Sequence, residues 1–198
     1  MSEDLNKPKY VGAMPEDEPR IGVYVCHCGS NIAGVIPPDQ VVDFAGSLPG
    51  VVHAAETMYA CADSGQRLIK EDIKKHGLNR VVVSACSVRM HEPTFRACVA
   101  EAGLNPFLME MANIREQCTW AHGHDREGAL AKAKDLTASA VSKVSFLQPL
   151  DMINVPVSKK AMVIGGGVAG ISAALDLAEQ NIPVVLVEKE PTIGGVMA

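Results

Sequence analysis

Aromatic residues are scarce in this chain of 198 residues, at 4% of the sequence. Proteins that bind single-stranded nucleic acid commonly stack bases on exposed aromatic rings, so this composition gives such binding little support. Basic residues do not compensate, because the formal net charge is −5 and acids and bases are interleaved along the chain. We therefore expect small molecules or proteins as partners, and no nucleic acid.

Long apolar runs and an apolar leader are also missing. No run approaches the roughly 20 residues that a membrane-spanning helix needs, and no basic start followed by an apolar core precedes residue 21. We therefore expect no membrane span and a cytoplasmic location. In that reducing compartment, the six cysteines are more often ligands of a metal or cluster, or reactive thiols, than disulfides.

The patterns that are present divide the chain into four parts. Residues 1–20 are polar, charged and interrupted by proline, which predicts a flexible arm. Residues 21–147 alternate apolar strand-like runs with helical periodicity, which predicts a cysteine-rich α/β domain with a doubly wound parallel sheet. Residues 148–160 predict a linker, and residues 161–198 the first β-α-β of a Rossmann-like domain, here incomplete.

Local signals place the elements of the first domain. The apolar runs predict strands at residues 21–25, 51–59, 81–85 and 107–109. The start signals predict helices from Pro38, from Asp63 with a capping box to Gln66, from Glu92–Pro93, and over about 125–146. The triplet Gly-Leu-Asn, at 77–79 and again at 103–105, predicts a repeated joint between helix and strand.

Cysteines follow the predicted strands. Cys26 and Cys28 follow the first strand, Cys61 the second, Cys86 the third and Cys118 the fourth. Because the carboxyl ends of parallel strands meet at one edge of a sheet, we expect these thiols to converge. Clustered thiolates in a buried setting suit a [4Fe–4S] cluster. Structural zinc and inert buried thiols stay open as alternatives, and five candidates compete for four places.

Other residues near this edge have less specific roles. Cys98 falls in the middle of a predicted helix and is expected in the core, and His27 is either a ligand or a neighbour. Three histidines are expected in loops: His91, His122 and His124. Three arginines follow the cysteine-bearing loops: Arg67, Arg89 and Arg115. They could offset the negative charge of a cluster, and for at least some of them a solvated side chain is the favoured alternative.

A glycine-rich turn after residue 160 predicts a dinucleotide site. It follows a predicted strand, begins a helix, and has an acid at the end of the next strand, as the G-x-G-x-x-G fingerprint requires. Gly165 permits the tight turn, Gly167 the approach of a pyrophosphate, and Gly170 close helix packing, while Glu188 can accept from a ribose hydroxyl. The second glycine pair after the acid favours FAD over NAD, with a turn that binds nothing as the alternative. The predicted site comprises Gly165, Gly166, Gly167, Val168, Ala169, Gly170, Glu188, Lys189, Gly194 and Gly195.

These segments together resemble one family, the A-type subunit of heterodisulfide reductase of anaerobic archaea and bacteria. The resemblance rests on residues 25–29, 59–61, 85–92 and 112–118 and on the FAD fingerprint. It implies an N-terminal iron–sulfur domain, a thioredoxin-reductase-like FAD domain and further ferredoxin-type clusters. In this family the flavin takes electron pairs from hydrogenase or formate dehydrogenase partners. It passes single electrons to ferredoxin and, through other subunits, to the disulfide of coenzymes M and B.

The sequence departs from the family in stopping at Ala198, three residues after Gly195. We expect an N-terminal piece, either because an in-frame UGA was read as a stop or because a second polypeptide completes the fold. Alone, it should not carry a competent flavin. The leading hypothesis is an iron–sulfur and FAD-dependent electron-transfer subunit of an electron-bifurcating oxidoreductase complex. The alternative is a metal-stabilised docking module without redox turnover.

Overall fold

The computed structural model describes residues 18–198, so most of the predicted flexible arm, residues 1–17, lies outside the described part. The chain divides into two compact units, one ending at Asp151 and one beginning at Met152. Residues 148–160, the predicted linker, form no helix or strand. No helix in the described range combines the length and the apolar character needed to cross a membrane.

The first unit is a four-stranded parallel sheet with helical crossovers. The strand order is β2-β1-β3-β4, and every neighbouring pair is parallel. In chain order the elements are β1 (Ile21–Cys26), α1 (Ser30–Ala33), α2 (Pro38–Gly46), β2 (Val51–Thr57), α3 (Asp63–His76), β3 (Arg80–Ala85), α4 (Val88–Glu101), β4 (Met109–Asn113), a π-helix (Arg115–Thr119) and α5 (Arg126–Ser145).

Helices cover both faces of this sheet. On one face Tyr24 and Val83 pack with residues of α3 and α4, such as Phe95. On the other face Val25 and Val82 pack with residues of α2 and α5. Successive residues of a strand point to opposite faces, so complete burial of both β1 and β3 requires two helix layers. The predicted doubly wound parallel sheet is confirmed.

The sheet continues on both sides of β1. β2 lies on one side of β1, whereas β3 and then β4 lie on the other. The crossovers that start from β1 and β3 therefore diverge, and a crevice forms outside the carboxyl ends of these two strands. This switch point is where open α/β sheets bind ligands.

The repeated Gly-Leu-Asn triplet makes the same joint twice, as predicted. Gly77 and Gly103 have φ of 59° and 93°, in the region that favours glycine. The N–H of the following leucine donates to the helix carbonyl five residues earlier in both joints. Both leucines, Leu78 and Leu104, are buried, so each joint ends a helix and begins the path to a core strand.

The predicted capping box at the start of α3 is wrong. Ala62 precedes the helix and no side chain caps its first turn. The Gln66 amide instead donates to the carbonyl oxygen of Cys61, at 2.8 Å. Gln66, in the first turn of α3, therefore binds the loop before the helix, and its side chain does not cap the amide groups of the helix.

The start of α4 also differs from its prediction. The helix begins at Val88, where the Ser87 hydroxyl accepts from the Arg89 amide at 3.3 Å, and not at Glu92. Pro93 therefore lies inside the helix, at the cost of one backbone hydrogen bond. His91, which was predicted in a loop, is helical.

Two strand boundaries differ as well. β4 begins at Met109 and not at residue 107, because residues 105–108 form a turn. In that turn the Asn105 carbonyl accepts from Leu108 and its side-chain oxygen from Phe107, both at 3.0 Å. β2 ends at Thr57, two residues before its predicted end.

Residues 18–20 are attached to the sheet, although the predicted arm included them. The Arg20 guanidinium donates to the His76 carbonyl at 2.7 Å, and the Arg20 amide donates to the Asn79 side chain at 2.7 Å. Asn79 in turn donates to the Glu18 carbonyl at 3.0 Å. These contacts fix the start of β1.

The second unit is one β-α-β element. It contains β5 (Ala161–Ile164), α6 (Val168–Glu179), β6 (Val184–Val187) and a short 3-10 turn (Gly195–Met197), and the two strands pair in parallel. No residue of α6 is buried, and Met162, Ile164 and Val185 are exposed on the strands. Within this unit, apolar strand surface remains uncovered.

Gly65 offers a test of how α3 positions the Cys61 loop. A Cβ at Gly65 would lie 2.4 Å from the Tyr59 carbonyl oxygen and 2.7 Å from the Cα of Ala60. We expect Gly65→Ala to lower the free energy of unfolding by roughly 1–3 kcal/mol, because the helix must move off this loop. Urea unfolding measures it. Gly46→Ala is the matched control, since its Cβ would meet only the Ala54 Cβ at 4.0 Å. Equal losses in both variants would contradict the packing argument.

Candidate functional site

Four thiols lie at the carboxyl edge of the sheet, around the switch point. Cys26 is the last residue of β1, Cys28 follows two residues later, and Cys86 directly follows β3. Cys61 follows β2 on the loop before α3. Burial first, and then the nearby Cys28 and Cys61 thiols, raise the pKa of Cys26, and Cys28 likewise acts on Cys86. The structure thus brings these four predicted residues together.

Backbone amides point at the sulfur of Cys26. Its Sγ accepts from the N–H of Cys28 at 3.3 Å and from the N–H of Ala60 at 3.4 Å. The two donors come from the loops after β1 and β2, so the sulfur connects both loops. N–H groups directed at a sulfur stabilise its thiolate form and tune a cluster bound to it.

Cys28 has an unusual backbone conformation. Its φ is +49°, and Gly29 follows with φ of +58°, so two successive residues have positive φ. Such a conformation costs a non-glycine residue on the order of 1 kcal/mol and is concentrated at functional sites. Here it reverses the chain between β1 and α1 and leaves the Cys28 thiol half-buried at the edge.

Arg115 joins the loops around these thiols. Its guanidinium donates to the Cys28 Sγ at 2.9 Å and to the Met90 Sδ at 3.0 Å. It also pairs with Glu116 at 2.7 Å and lies over the Trp120 ring, 4.8 Å from the ring centre. One cation thereby connects residues that follow β1, β3 and β4, and it places positive charge beside a thiol.

Burial controls the protonation of the innermost thiols. Burial raises the pKa of Cys86 to about 11, against the opposing effect of Arg115. Cys98 is buried in the middle of α4, where its thiol donates to the Gln66 carbonyl at 3.4 Å, and burial raises its pKa to about 11 also. Cys98 therefore has the core position that was predicted for it.

Cys118 does not join the group, contrary to the expected convergence. It lies on the π-helix, is fully buried, and packs in the core on the α5 side of the sheet. Its thiol donates to the Ala129 carbonyl at 3.0 Å. The π-helix turns Cys118 toward α5, so a position after β4 was not sufficient to bring the side chain to the edge.

The other residues that the sequence suggested around the site differ in whether they contact a cysteine sulfur. The ring of His27 pairs with the Glu56 carboxylate at 3.1 Å, which leaves Nε2 engaged away from the sulfurs. Within residues 18–198, Arg67 and Arg89 make no contact with a cysteine sulfur, unlike Arg115. The amide of Ala60 and the ring of Trp120 belong to the site and were not predicted, because neither residue type has a pattern that indicates this role.

The four thiols form a set of soft sulfur ligands, which iron–sulfur clusters and structural zinc ions both accept. The amide and guanidinium donors at two of the sulfurs are the kind of contact that tunes an iron–sulfur cluster. This edge of the sheet could therefore hold such a cluster.

Apolar side chains surround this edge and are exposed. Four of them follow β2 and β3, as Cys61 and Cys86 do, and the fifth, Trp120, follows β4 and contacts Arg115, so they form a rim around the thiols. Their exposed fractions, between 39% and 58%, are large for such side chains. The rim consists of Met58, Tyr59, Val88, Met90 and Trp120.

The glycine-rich turn has the geometry of a phosphate-binding loop. Gly165 has φ of +105°, and a Cβ at Gly170 would lie only 1.8 Å from the Gly165 carbonyl oxygen. Glycine is therefore required at Gly165 by the backbone conformation and at Gly170 by the close approach of α6 to the turn. A Cβ at Gly167 would meet nothing within 4 Å, so open space lies beside the N-terminus of α6, where backbone amides favour anions.

The later residues of the predicted dinucleotide site form hydrogen bonds with this turn. The Glu188 carboxylate accepts from the Gly166 amide at 2.6 Å and from the Lys189 and Glu190 amides at 2.7 and 3.0 Å. These amides, with that of Glu190 first, lower the pKa of Glu188, so it is ionised. The Gly194 amide donates to the Gly166 carbonyl at 2.7 Å, which brings the second glycine pair against the first.

Comparison with known proteins gives matches for both units. The family of FAD-dependent oxidoreductases matches residues 160–197. The chain is 60% identical over 93% of its length to an iron–sulfur A-type subunit of the CoB–CoM heterodisulfide reductase of Methanopyrus kandleri. It is 59% identical over 91% of its length to the A-type subunit of the H(2):CoB-CoM heterodisulfide,ferredoxin reductase of Methanothermobacter thermautotrophicus. A protein of Archaeoglobus profundus that is similar to the A-type subunit of heterodisulfide reductase is 54% identical over 93% of the chain.

The chain spans only part of these relatives. It covers 28% of the Methanopyrus and Methanothermobacter proteins and 26% of the Archaeoglobus protein. Identity above 50% nevertheless extends over both units, with the FAD-dependent oxidoreductase match confined to the second. The resemblance predicted from the sequence is confirmed.

Stability should depend on pH through the buried thiols when the chain is reduced and metal-free. The pKa of Cys86 and of Cys98 is about 11 in the folded chain, against an ordinary value of 9.0. Between these values the unfolded chain loses protons that the folded chain keeps. We therefore expect the free energy of unfolding to be constant below about pH 8 and to fall from about pH 9 to about pH 11.

Anaerobic urea unfolding across this range measures the effect. Cys98→Ser removes one of the two thiols without touching the edge of the sheet, so the fall should become smaller in that variant. A wild-type stability that stays constant or rises up to pH 11 would contradict the burial argument.

Proposed function

Since the chain resembles part of the A-type subunit of heterodisulfide reductase, we propose that it is an N-terminal, electron-transfer part of an oxidoreductase complex. The complex would reduce the CoB–CoM disulfide with bifurcation of electrons to ferredoxin. Ferredoxin stands in the name of the Methanothermobacter relative, and ferredoxin and F(420)H(2) in that of a Methanosarcina acetivorans relative. Other subunits of the complex, with hydrogenase or formate dehydrogenase subunits as donors, are the proposed partners in the cytoplasm.

The convergence of four thiols at the switch point is the observation that carries this proposal. Cys26, Cys28, Cys61 and Cys86 would hold a [4Fe–4S] cluster, which takes up and passes on single electrons. The two amides at the Cys26 sulfur and the guanidinium at the Cys28 sulfur would stabilise thiolates there. Arg115 would offset part of the negative charge that four thiolates bring to this edge.

The glycine turn of the second unit would hold the ADP part of FAD, which exchanges both electron pairs and single electrons. Open space at Gly167 lets a pyrophosphate reach the amides at the start of α6. Glu188 lies beside the same turn, where its carboxylate can accept from a ribose hydroxyl. Residues Gly194 and Gly195 support the turn from the other side, since a Cβ at Gly195 would lie 3.1 Å from the Gly167 Cα.

A serine series tests the cluster. We expect the anaerobically purified chain to contain about four iron and four sulfide and to give a reducible EPR signal. Single changes to serine at Cys26, Cys28, Cys61 and Cys86 should each lower the iron content strongly, because each removes a soft ligand. Cys98→Ser and Cys118→Ser are the controls and should retain it.

Three outcomes would contradict this assignment or part of it. Iron content that none of the four edge variants changes would remove these residues from the ligand set. Stoichiometric zinc with no visible absorbance would favour a docking module without redox turnover. Loss of iron in Cys118→Ser, with retention in one edge variant, would exchange those two cysteines in the proposed set.

Gly167→Val tests the nucleotide site without disturbing the fold. Its Cβ would meet no protein atom within 4 Å and its φ is −75°, so the side chain fits and only ligand access is lost. In amide NMR spectra of the chain, ADP should shift signals of residues 165–170, and the Gly167→Val variant should lose these shifts. Leu175→Ala, at an exposed position of α6 outside the turn, should keep them. Equal shifts in the wild type and in Gly167→Val would overturn the assignment.

A further inference from the structure

Three metal-ligating side chains meet away from the cysteine edge, between β2 and α3. They are His53 of β2 and Asp72 and His76 of α3. One ligand atom from each lies within 4.8 Å of the other two, and this group of three is the only one of its kind among the described residues. The two helical residues are four positions apart, so they lie on the same face of α3.

The distances within this group leave one nitrogen without a hydrogen bond. His53 Nε2 lies 3.0 Å from Asp72 Oδ2, a normal hydrogen bond. His76 Nε2 lies 3.8 Å from Asp72 Oδ1, which is too long, and in the part of the chain that the structure describes it has no other partner. The nitrogen is nevertheless shielded from solvent. Buried polar atoms are rarely left in this state, and such a nitrogen is available to a ligand.

The surroundings hold the three groups close together. The two imidazole rings stack with centres 4.2 Å apart and planes inclined by 12°. Asp72 is 5% exposed, and the Tyr24 hydroxyl lies 3.5 Å from its Oδ2. A tyrosine beside a carboxylate is the kind of outer contact that orients a metal ligand. The two histidine side chains are 23% and 28% exposed, so the group lies near the surface of the first unit.

We propose that His53, Asp72 and His76 form a binding site for a divalent transition-metal ion such as Zn²⁺. Two imidazoles and one carboxylate are a ligand set that zinc prefers, with solvent completing the coordination. Calcium and magnesium are disfavoured, because they select oxygen ligands. The ion would give His76 Nε2 the partner that the protein does not provide.

The position of the site points to a structural role. His53 belongs to β2, which is the edge strand of the sheet, and the other two ligands lie near the end of α3. A bound ion would therefore link the outermost strand to its crossover helix. The ligands are separate from the thiols, so the site is independent of the proposed iron–sulfur cluster.

Long-range ¹H–¹⁵N NMR of the histidine rings tests the proposal in the 198-residue chain. The reduced chain is titrated with Zn²⁺ beyond the capacity of its thiols. We expect the Nε2 signals of His53 and His76 to shift together, while those of His124 stay in place. Because the readout is the imidazole nitrogen, zinc on the cysteines does not imitate it.

Matched glutamine variants complete the test. His76→Gln should weaken zinc binding at this site at least about 100-fold, because a direct ligand contributes more than the 10–100-fold typical of an outer contact. His124→Gln, in an exposed loop, should bind as the wild type does. Amide spectra establish that each variant is folded. An unchanged His53 signal on zinc addition, or equal affinity in His76→Gln, would overturn the proposal.

Discussion

The complete burial of β1 and β3 between two helix layers is the constraint on which the first unit depends. Two buried parallel strands must satisfy their backbone groups by pairing with each other, and this fixes their register, with Val25 opposite Ser84. Their carboxyl ends therefore lie at the same height in the sheet. Cys26 and Cys86 are placed by this pairing alone, before any interaction between their side chains.

Electrostatic interactions then set the protonation of the thiols that burial of the strands has placed at this edge. Burial raises the pKa of the Cys86 thiol, so without a ligand this edge favours protonated sulfur. The Arg115 guanidinium and the amides at Cys26 act in the opposite direction, because they favour thiolate. At Cys26 and Cys86 burial outweighs these effects, so binding of a metal ion or cluster would release protons from this edge. The π-helix after β4 carries Arg115, which contacts the Cys28 sulfur.

The periodic patterns predicted most of the fold. Continuous apolar runs indicated β1 and β3, and helical periodicity indicated α5, because buried faces dominate these elements. Prediction was weaker where a single side chain determines the boundary of a helix or strand. Ser87 starts α4 four residues before the expected position, and Asn105 delays β4 by forming a turn. Neither effect has a periodic signal. Likewise, sequence spacing placed Cys118 after a strand but could not indicate which way a π-helix would turn it.

The diverging crossovers at the switch point have a consequence for how such sites change in evolution. Each cysteine is placed by the end of a strand, and the crossover between two strand ends can gain or lose helical turns without moving either end. The number of residues between two cysteines can therefore vary without moving their side chains. The number of residues between each cysteine and the last paired residue of its strand is constrained. A search for fixed cysteine spacing would overlook distant relatives of this site. Alignment of strand ends would find them.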